Sequence, residues 1–165
     1  MIEMAKRSVN MNGQNDKIEM IEADIIGLSR KGFLKKLDYV ITNPPYKKLN
    51  TGLINENEKK LVSKHEYKCN LEDIIKESSK MLKDLGTFYM VHRPERMVEI
   101  LETMRKFKIE PKEIQFVYPK SDQKANLILI KGTKCGKPFL KVLEPLIIYN
   151  EKNEYTEQIL TIYEE

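Results

Sequence analysis

The chain has 165 residues and a slight basic excess, with 29 Lys and Arg against 25 Asp and Glu and a net charge of +4. This length fits one domain that buries roughly two-thirds of the surface of its unfolded chain. No apolar run reaches the roughly 18 residues of a membrane span, and there is no signal-peptide pattern, so we expect a cytosolic protein. Cys69 and Cys135 lie far apart without metal-ligand or redox spacing, which predicts reduced structural thiols and no metal site.

The first 36 residues predict a helix, a short strand and a turn. Residues 1–12 have apolar side chains at helical spacing, and Asn12-Gly13 is a C-terminal stop signal. Residues 17–24 predict a strand that ends in Asp24, whose carboxylate could bind a ligand or cap the next turn. A short helix or turn over residues 25–36 would lead to the next strand.

The most informative stretch is Leu37–Tyr46, with the sequence LDYVITNPPY. Its apolar half predicts a buried strand, which ends in Asn43-Pro44-Pro45-Tyr46. Two consecutive prolines cannot donate to a sheet ladder and push the residues before them toward extended backbone, so the chain leaves the sheet here in a stiff direction. In open α/β sheets, ligands bind at such carboxyl ends of strands.

The chemistry offered by this motif suits a planar amino group. The carboxamide oxygen of Asn43 and the carbonyl oxygen of Pro44 can accept both amino hydrogens, while Tyr46 can stack on the ring that bears them. The 6-amino group of adenine and the side-chain amide of glutamine both fit this description. The alternative is that the motif only terminates the strand.

A long polar segment and a βαβ crossover follow. Residues 47–70 are too long for an ordinary connection and predict a lid beside the site, which includes His65 and Glu66. Residues 71–85 predict a helix, capped by Asn70 and stopped by Gly86, and residues 87–92 predict a strand. A helix that links two strands in this way places them as parallel neighbours.

His92, Arg93 and Arg96 lie at the mouth of this second strand, and the next helix runs to about Phe107. Two arginines at a helix N-terminus oppose the helix dipole, so either a bound anion or a surface ion pair with Glu95 or Glu99 should favour them. Residues 113–118 and 125–131 predict a final antiparallel pair of strands, and the tail predicts a short extended segment before a polar end.

The chain resembles class I S-adenosylmethionine-dependent methyltransferases. More closely, it resembles the bacterial tRNA(Val) adenine-N(6)-methyltransferases, which methylate the adenine beside the anticodon. The motifs that match are MAKRSVNMN (4–12), ITNPPY (41–46), HEYKCNLEDIIKESSKML (65–82), VHRPER (91–96), IEPKEIQFVYPK (109–120), AN (125–126) and LEPLIIY (143–149).

The resemblance implies an α/β fold, Rossmann-like, with a mainly parallel sheet and a C-terminal antiparallel strand. It also implies S-adenosylmethionine as cofactor and tRNA as partner. Asn43, Pro44, Pro45 and Tyr46 would form the catalytic motif, in which Asn43 and the Pro44 carbonyl hold the adenine amino group and Tyr46 stacks on the base. Asp24 would face the adenine of the cofactor, which Asn43 also adjoins; the residues on the RNA side would be His92, Arg93, Arg96 and Lys120.

The chain departs from this family in one large respect. The Gly-rich Asp-x-Gly-x-Gly turn and the first two strands of such enzymes do not occur in it. We therefore expect the C-terminal two-thirds of a methyltransferase domain, in which the strand at 17–24 lacks its neighbour, cofactor binding is weak and exposed sheet edges favour self-association. The alternatives are a protein glutamine N(5)-methyltransferase and a non-catalytic RNA-binding remnant.

Overall fold

A computed structural model of the protein describes residues 2–30, 36–46 and 70–164. Residues 47–69 of the predicted lid, which include His65, Glu66 and Cys69, lie outside the described residues. The helices are α1 (Ile2–Met11), α2 (Leu71–Met81), α3 (Met97–Lys106) and α4 (Glu157–Glu164), with 3₁₀ turns at Leu28–Arg30 and Pro94–Arg96. The strands are β1 (Leu37–Thr42), β2 (Leu82–His92), β3 (Ile109–Tyr118), β4 (Leu127–Lys134), β5 (Lys141–Val142) and β6 (Leu146–Ile147).

The strands form one sheet in the order β1-β2-β4-β3-β5, with β6 also paired to β3. β1 and β2 are parallel, in a register that pairs Val40 with Phe88. β4 is antiparallel to both of its neighbours, so the other strands of the described residues all run in one direction. The predicted α/β fold, mainly parallel with a C-terminal antiparallel strand, is confirmed.

The core lies between one face of the sheet and helices α2 and α3. Alternate side chains of β2, Phe88 and Met90, point into it, as do Ile128 and Ile130 of β4. Period-2 alternation in the strands and 3.6-residue periodicity in the helices bring the apolar sets together. The buried cluster comprises Leu71, Ile74, Ile75, Leu82, Phe88, Met90, Ile100, Met104, Ile109, Ile114, Ile128 and Ile130.

Helix α2 begins where the sequence predicts and ends earlier. Asn70 caps it: its side chain accepts from the backbone N–H of Asp73 at 2.9 Å, and the Asp73 carboxylate accepts from the Asn70 N–H at 3.3 Å. The predicted end near Leu85 is wrong, because Leu82 is already extended and pairs with Leu37. Gly86 instead permits close packing, since an added Cβ would lie 3.1 Å from the Asp38 carbonyl oxygen.

Two other predictions about the ends of the chain need correction. Residues 17–24 form no strand, and no described strand pairs with them, consistent with the expected loss of a neighbour. A lone strand gains no ladder hydrogen bonds and is marginal in water. The sequence of the tail predicts a short extended segment and a polar end, but the end of the tail forms helix α4 at Glu157–Glu164. Ile159, which is 6% exposed, anchors this helix.

Among the described residues, the second face of the sheet borders a cavity, and the outer edge of β1 has no strand partner. Alternate side chains on this face, with Tyr89, Leu129 and Leu143 among them, line a cavity of about 380 Å³. β1 is the edge strand of the described sheet, and its Tyr39 and Ile41 are 65% and 79% exposed. In the described parts of the chain, no helix is long and apolar enough to cross a membrane.

Asn70→Ala should destabilise the protein by about 1 kcal/mol, because the first turn of α2 would lose its side-chain acceptor. Urea-induced unfolding would measure this change. Asn70→Ser, which keeps an acceptor oxygen, should stay within a few tenths of a kcal/mol of the parent. Equal stability of the alanine and serine variants would contradict this role of Asn70.

Candidate active site

The candidate site lies at the carboxyl ends of β1 and β2. Thr42, the last residue of β1, pairs with Met90, so the motif after Thr42 lies beside His92 and the residues that follow it. Of this motif, Pro44 is buried, Asn43 and Pro45 are exposed, and Tyr46 is half-buried. The parallel register thus brings the ends of two distant sequence motifs to one rim of the sheet.

Tyr46 turns back onto Asn43. Its hydroxyl donates a hydrogen bond of 2.6 Å to the carboxamide oxygen Oδ1 of Asn43. A carboxamide oxygen has two lone pairs, so this contact orients the Asn43 side chain and leaves a second acceptor position. The exposed amide can therefore accept from an incoming N–H group while Tyr46 stays bonded.

Two side chains from the end of β2 contact the Tyr46 ring. The His92 ring packs against it with centroids 5.3 Å apart at an interplanar angle of 65°. The guanidinium carbon of Arg93 lies 5.3 Å from the Tyr46 ring centroid, within the range of a cation–π interaction. Arg93 also donates to the backbone carbonyl of Asn126 at 2.8 Å. Arg93 therefore links the ends of β1 and β2 to the start of β4.

His92 is buried, whereas a residue that contacts RNA directly should be exposed at the surface. Its side chain is 0% exposed, and Nδ1 accepts the backbone N–H of Arg93 at 2.8 Å. Burial lowers the pKa of His92, and the positive charge of Arg96 lowers this pKa further. The ring is thus neutral with its proton on Nε2, which has no hydrogen-bond partner among the described residues.

The two arginines after β2 have different environments. Arg96 is 13% exposed and makes a two-point contact with the Glu99 carboxylate, at 2.8 Å and 3.2 Å. This is the ion pair that the sequence offered as the alternative to a bound anion. Arg93 is exposed, and its guanidinium contacts the Tyr46 ring and a backbone carbonyl. Arg93 is therefore the more accessible cation of the pair.

The remaining predicted residues, Asp24 and Lys120, lie outside the group formed by Tyr46, His92 and Arg93. Asp24 is exposed in irregular backbone, and its carboxylate accepts the N–H of Ile26 at 2.9 Å. This is the local turn cap that the sequence left open as one of two roles. Lys120 follows β3, whose carboxyl end points to the same rim as that of β1 because the two strands run in the same direction. Its assignment to the RNA side stays a prediction.

Sequence reasoning missed the contacts among Tyr46, His92 and Arg93. The available signal was the βαβ crossover, which predicts that Asn-Pro-Pro-Tyr and His-Arg-Pro-Glu-Arg end neighbouring parallel strands. It predicts proximity but not which side chain covers which ring. In the part of the chain that the structure describes, no group of three or more His, Cys, Asp or Glu side chains could hold a metal ion.

No family model matches the sequence, and no curated protein matches it. Among solved structures, the chain is similar to a predicted O-methyltransferase from Agrobacterium tumefaciens, with a TM-score of 0.75 and 22% sequence identity over 99% of this chain and 72% of that one. A putative DNA modification methylase from Thermus thermophilus, complexed with S-adenosyl-L-methionine, gives a TM-score of 0.49 and 15% identity over 71% of this chain and 54% of that one. The second similarity is too low to support a conclusion. The first shows that this chain shares the fold of a predicted methyltransferase.

The buried, neutral His92 predicts a loss of stability at mildly acidic pH. As the pH falls below about 6.5, the unfolded chain takes up a proton at this residue while the folded chain, with its lowered pKa, resists it. The free energy of unfolding should then fall by at most about 1.4 kcal/mol per pH unit from this residue. His92→Gln should remove that component, which urea-induced unfolding across mildly acidic pH would measure. Parallel pH curves for parent and variant would contradict the prediction.

Proposed function

We propose that this chain is part of an S-adenosylmethionine-dependent methyltransferase that modifies the exocyclic amino group of an adenine in the anticodon loop of a tRNA, tRNA(Val) by resemblance. The observation that carries the proposal is the pairing of an exposed amide acceptor, Asn43 Oδ1, with the Tyr46 ring at the carboxyl end of β1. The shared fold with a predicted methyltransferase supports the reaction class.

The motif suits the chemistry of an aromatic amino group. Such a nitrogen is a poor nucleophile because its lone pair is delocalised into the ring. Acceptance of its two hydrogens by Asn43 Oδ1 and the Pro44 carbonyl favours a pyramidal nitrogen with an available lone pair. Correct positioning of the reactants can supply as much as about 7–11 kcal/mol, so this scheme does not need a histidine base.

Tyr46 and Arg93 support binding of the base. An adenine that stacks on Tyr46 would share the ring with the Arg93 guanidinium or replace it, and a displaced guanidinium would be free to bind phosphate. A target base must leave its stack to enter such a site, and this costs least in a single-stranded loop. Lys120 on the same rim adds a second cation. Two cations beside the base site suit the phosphates of such an RNA loop.

The donor side of the reaction has less support from the described residues. S-adenosylmethionine supplies an electrophilic methyl group when it is bound. Asp24, the residue expected beside its adenine, is exposed and engaged with the Ile26 N–H. The sequence has no Gly-rich turn of the Asp-x-Gly-x-Gly type. Among the described residues, the acceptor side of the site therefore fits the proposed reaction better than Asp24, the residue expected on the donor side, does.

Asn43→Ala should lower methyl transfer into tRNA by about 10²–10³-fold, because the amino group would lose an oriented partner. Tyr46→Phe keeps the ring and should cost less than Tyr46→Ala, which also loses stacking worth about 1–3 kcal/mol. Transfer of a radiolabelled methyl group into tRNA measures these effects, with the complete coding frame that contains these residues.

Asn15→Ala, at an exposed asparagine outside the site, is the control and should leave the rate unchanged. Full activity of Asn43→Ala would refute the assigned role of Asn43. Incorporation of label into protein and not into RNA would instead identify a glutamine N(5)-methyltransferase. Salt-sensitive tRNA binding without methyl transfer would identify an RNA-binding remnant.

The isolated 165-residue chain should bind S-adenosylmethionine weakly or not at all, because Asp24 lies in exposed, irregular backbone. Isothermal titration calorimetry should give no saturable heat at micromolar ligand. A micromolar dissociation constant for the 165-residue chain would contradict this expectation.

A further inference from the structure

Three tyrosines near the C-terminus form an exposed cluster in which two of the rings are stacked. The rings of Tyr149 and Tyr155 have centroids 5.3 Å apart and lie within 16° of parallel, and the Tyr163 ring, tilted by 46°, follows with its centroid 6.2 Å from that of Tyr155. We propose that this tyrosine ladder (Tyr149, Tyr155 and Tyr163) is a stacking site for an unpaired base of the nucleic-acid substrate, separate from the methylation site. The proposal rests on the proposed function, because it assumes that the substrate is a nucleic acid.

Local hydrogen bonds hold the ladder in place. The Asn150 carboxamide oxygen accepts from the backbone N–H groups of Lys152 and Glu154, which closes a turn. This turn brings Tyr155 opposite Tyr149 in an antiparallel bridge. The Thr156 hydroxyl donates to the Ile147 carbonyl at 2.6 Å and fixes the start of α4. A site already ordered before binding loses little conformational entropy when a base stacks on it.

The three tyrosines are not needed to anchor the C-terminal helix α4 to the fold. Tyr149, Tyr155 and Tyr163 are 37%, 47% and 76% exposed, whereas Ile159 between them is 6% exposed and anchors α4. Helix α4 therefore has its own apolar contact with the fold. All three tyrosines thus expose aromatic surface to solvent, Tyr163 most of all, and aromatic side chains are what base stacking requires.

The ladder lies on the same rim as Asn43 and Tyr46. The backbone N–H of Tyr149 donates to the Pro119 carbonyl, just beyond the carboxyl end of β3, and β3 runs in the same direction as β1. The order β1-β2-β4-β3-β6 and a spacing of about 4.8 Å per strand separate the two sites by roughly 15–20 Å. About five stacked nucleotides of one strand, at 3.4 Å each, span that distance.

The charges along the rim suggest that phosphates and bases are bound by different residues. Arg93, against the Tyr46 ring, and Lys120, which follows β3, are cations of this rim and suit phosphates. The segment of the ladder itself has mainly acidic neighbours: Glu151, Glu154, Glu157 and Glu164. Attraction at the ladder should therefore come from stacking on the rings, and binding there should depend on bases and little on salt.

The test is binding of a short single-stranded oligoadenylate, followed by fluorescence anisotropy at several salt concentrations, together with an abasic ribose-phosphate strand of equal length. Tyr155→Ala should weaken oligoadenylate binding by about tenfold, as expected for loss of one stacked base, and leave the salt slope and the abasic strand unchanged. Tyr155→Phe should bind like the parent, because the ring is kept.

Phe139→Ala is the matched control. Phe139 is 87% exposed, and it precedes β5, whose Lys141 pairs with Glu113, toward the opposite end of the sheet from Tyr149. Its loss should leave binding unchanged. Tyr163→Ala, at the most exposed rung, tests the ladder again if Tyr155→Ala unfolds, which circular dichroism would reveal, and it should also weaken binding to oligoadenylate alone.

Three results would overturn the ladder: no oligoadenylate binding by the parent chain, parent-like affinity of the Tyr155→Ala and Tyr163→Ala variants, or an equal loss in Phe139→Ala. Each can occur while methyl transfer into tRNA stays dependent on Asn43, in which case the proposed function stands and the ladder fails. If oligoadenylate binds through Tyr155 and no methyl transfer into tRNA occurs, the ladder stands and the proposed function fails.

Discussion

The parallel pairing of β1 with β2 is the contact on which the candidate site depends. It joins Thr42 to Met90, so that the residues that follow each strand leave the sheet side by side. Helix α2 makes this pairing possible as the crossover between them, and its Asn70 cap and buried Ile75 hold it against the core. If the pairing shifted by one residue, every side chain of β1 would move to the other face of the sheet.

Around this pairing, charge and burial are distributed unequally. His92 is fully buried and neutral, Arg96 is bound by Glu99, and Arg93 remains at the surface against Tyr46. Burial of an unpaired charge is costly, which explains why the residue beneath the site is a neutral imidazole and why the enclosed arginine has a carboxylate partner. The Arg93 guanidinium stays exposed, held by the Tyr46 ring and the Asn126 carbonyl.

The outer edge of β1 raises a different constraint. The outer edge of β1 has backbone groups with no strand partner among the described residues, and Tyr39 and Ile41 expose apolar surface beside it. Such an edge favours pairing with a further strand. Pairing between two copies of this chain, as expected from the sequence, stays a prediction, and a strand from elsewhere in the same protein would satisfy the same groups.

The sequence alone determined the order and type of the central elements. The apolar run before Asn43, the cap at Asn70, the stripe of α2 and the alternation of β2 are local patterns, and local geometry is enough to identify them. The same patterns predicted the parallel crossover, and hence that the motifs after β1 and β2 lie at the same edge of the sheet. The resemblance to tRNA methyltransferases also came from sequence, and its substrate remains a proposal.

Tertiary structure decided what local patterns cannot express. Residues 17–24 look like a strand but form none, because strand formation depends on a partner. Helix α2 ends at Met81 because Leu82 pairs with β1, a contact with a residue 45 positions away. The partners of the two arginines, the burial of His92 and the stacking of Tyr149 on Tyr155 likewise depend on segments brought together by folding. Sequence therefore predicted which residues share a rim, and only packing determined which of them are exposed, paired or stacked there.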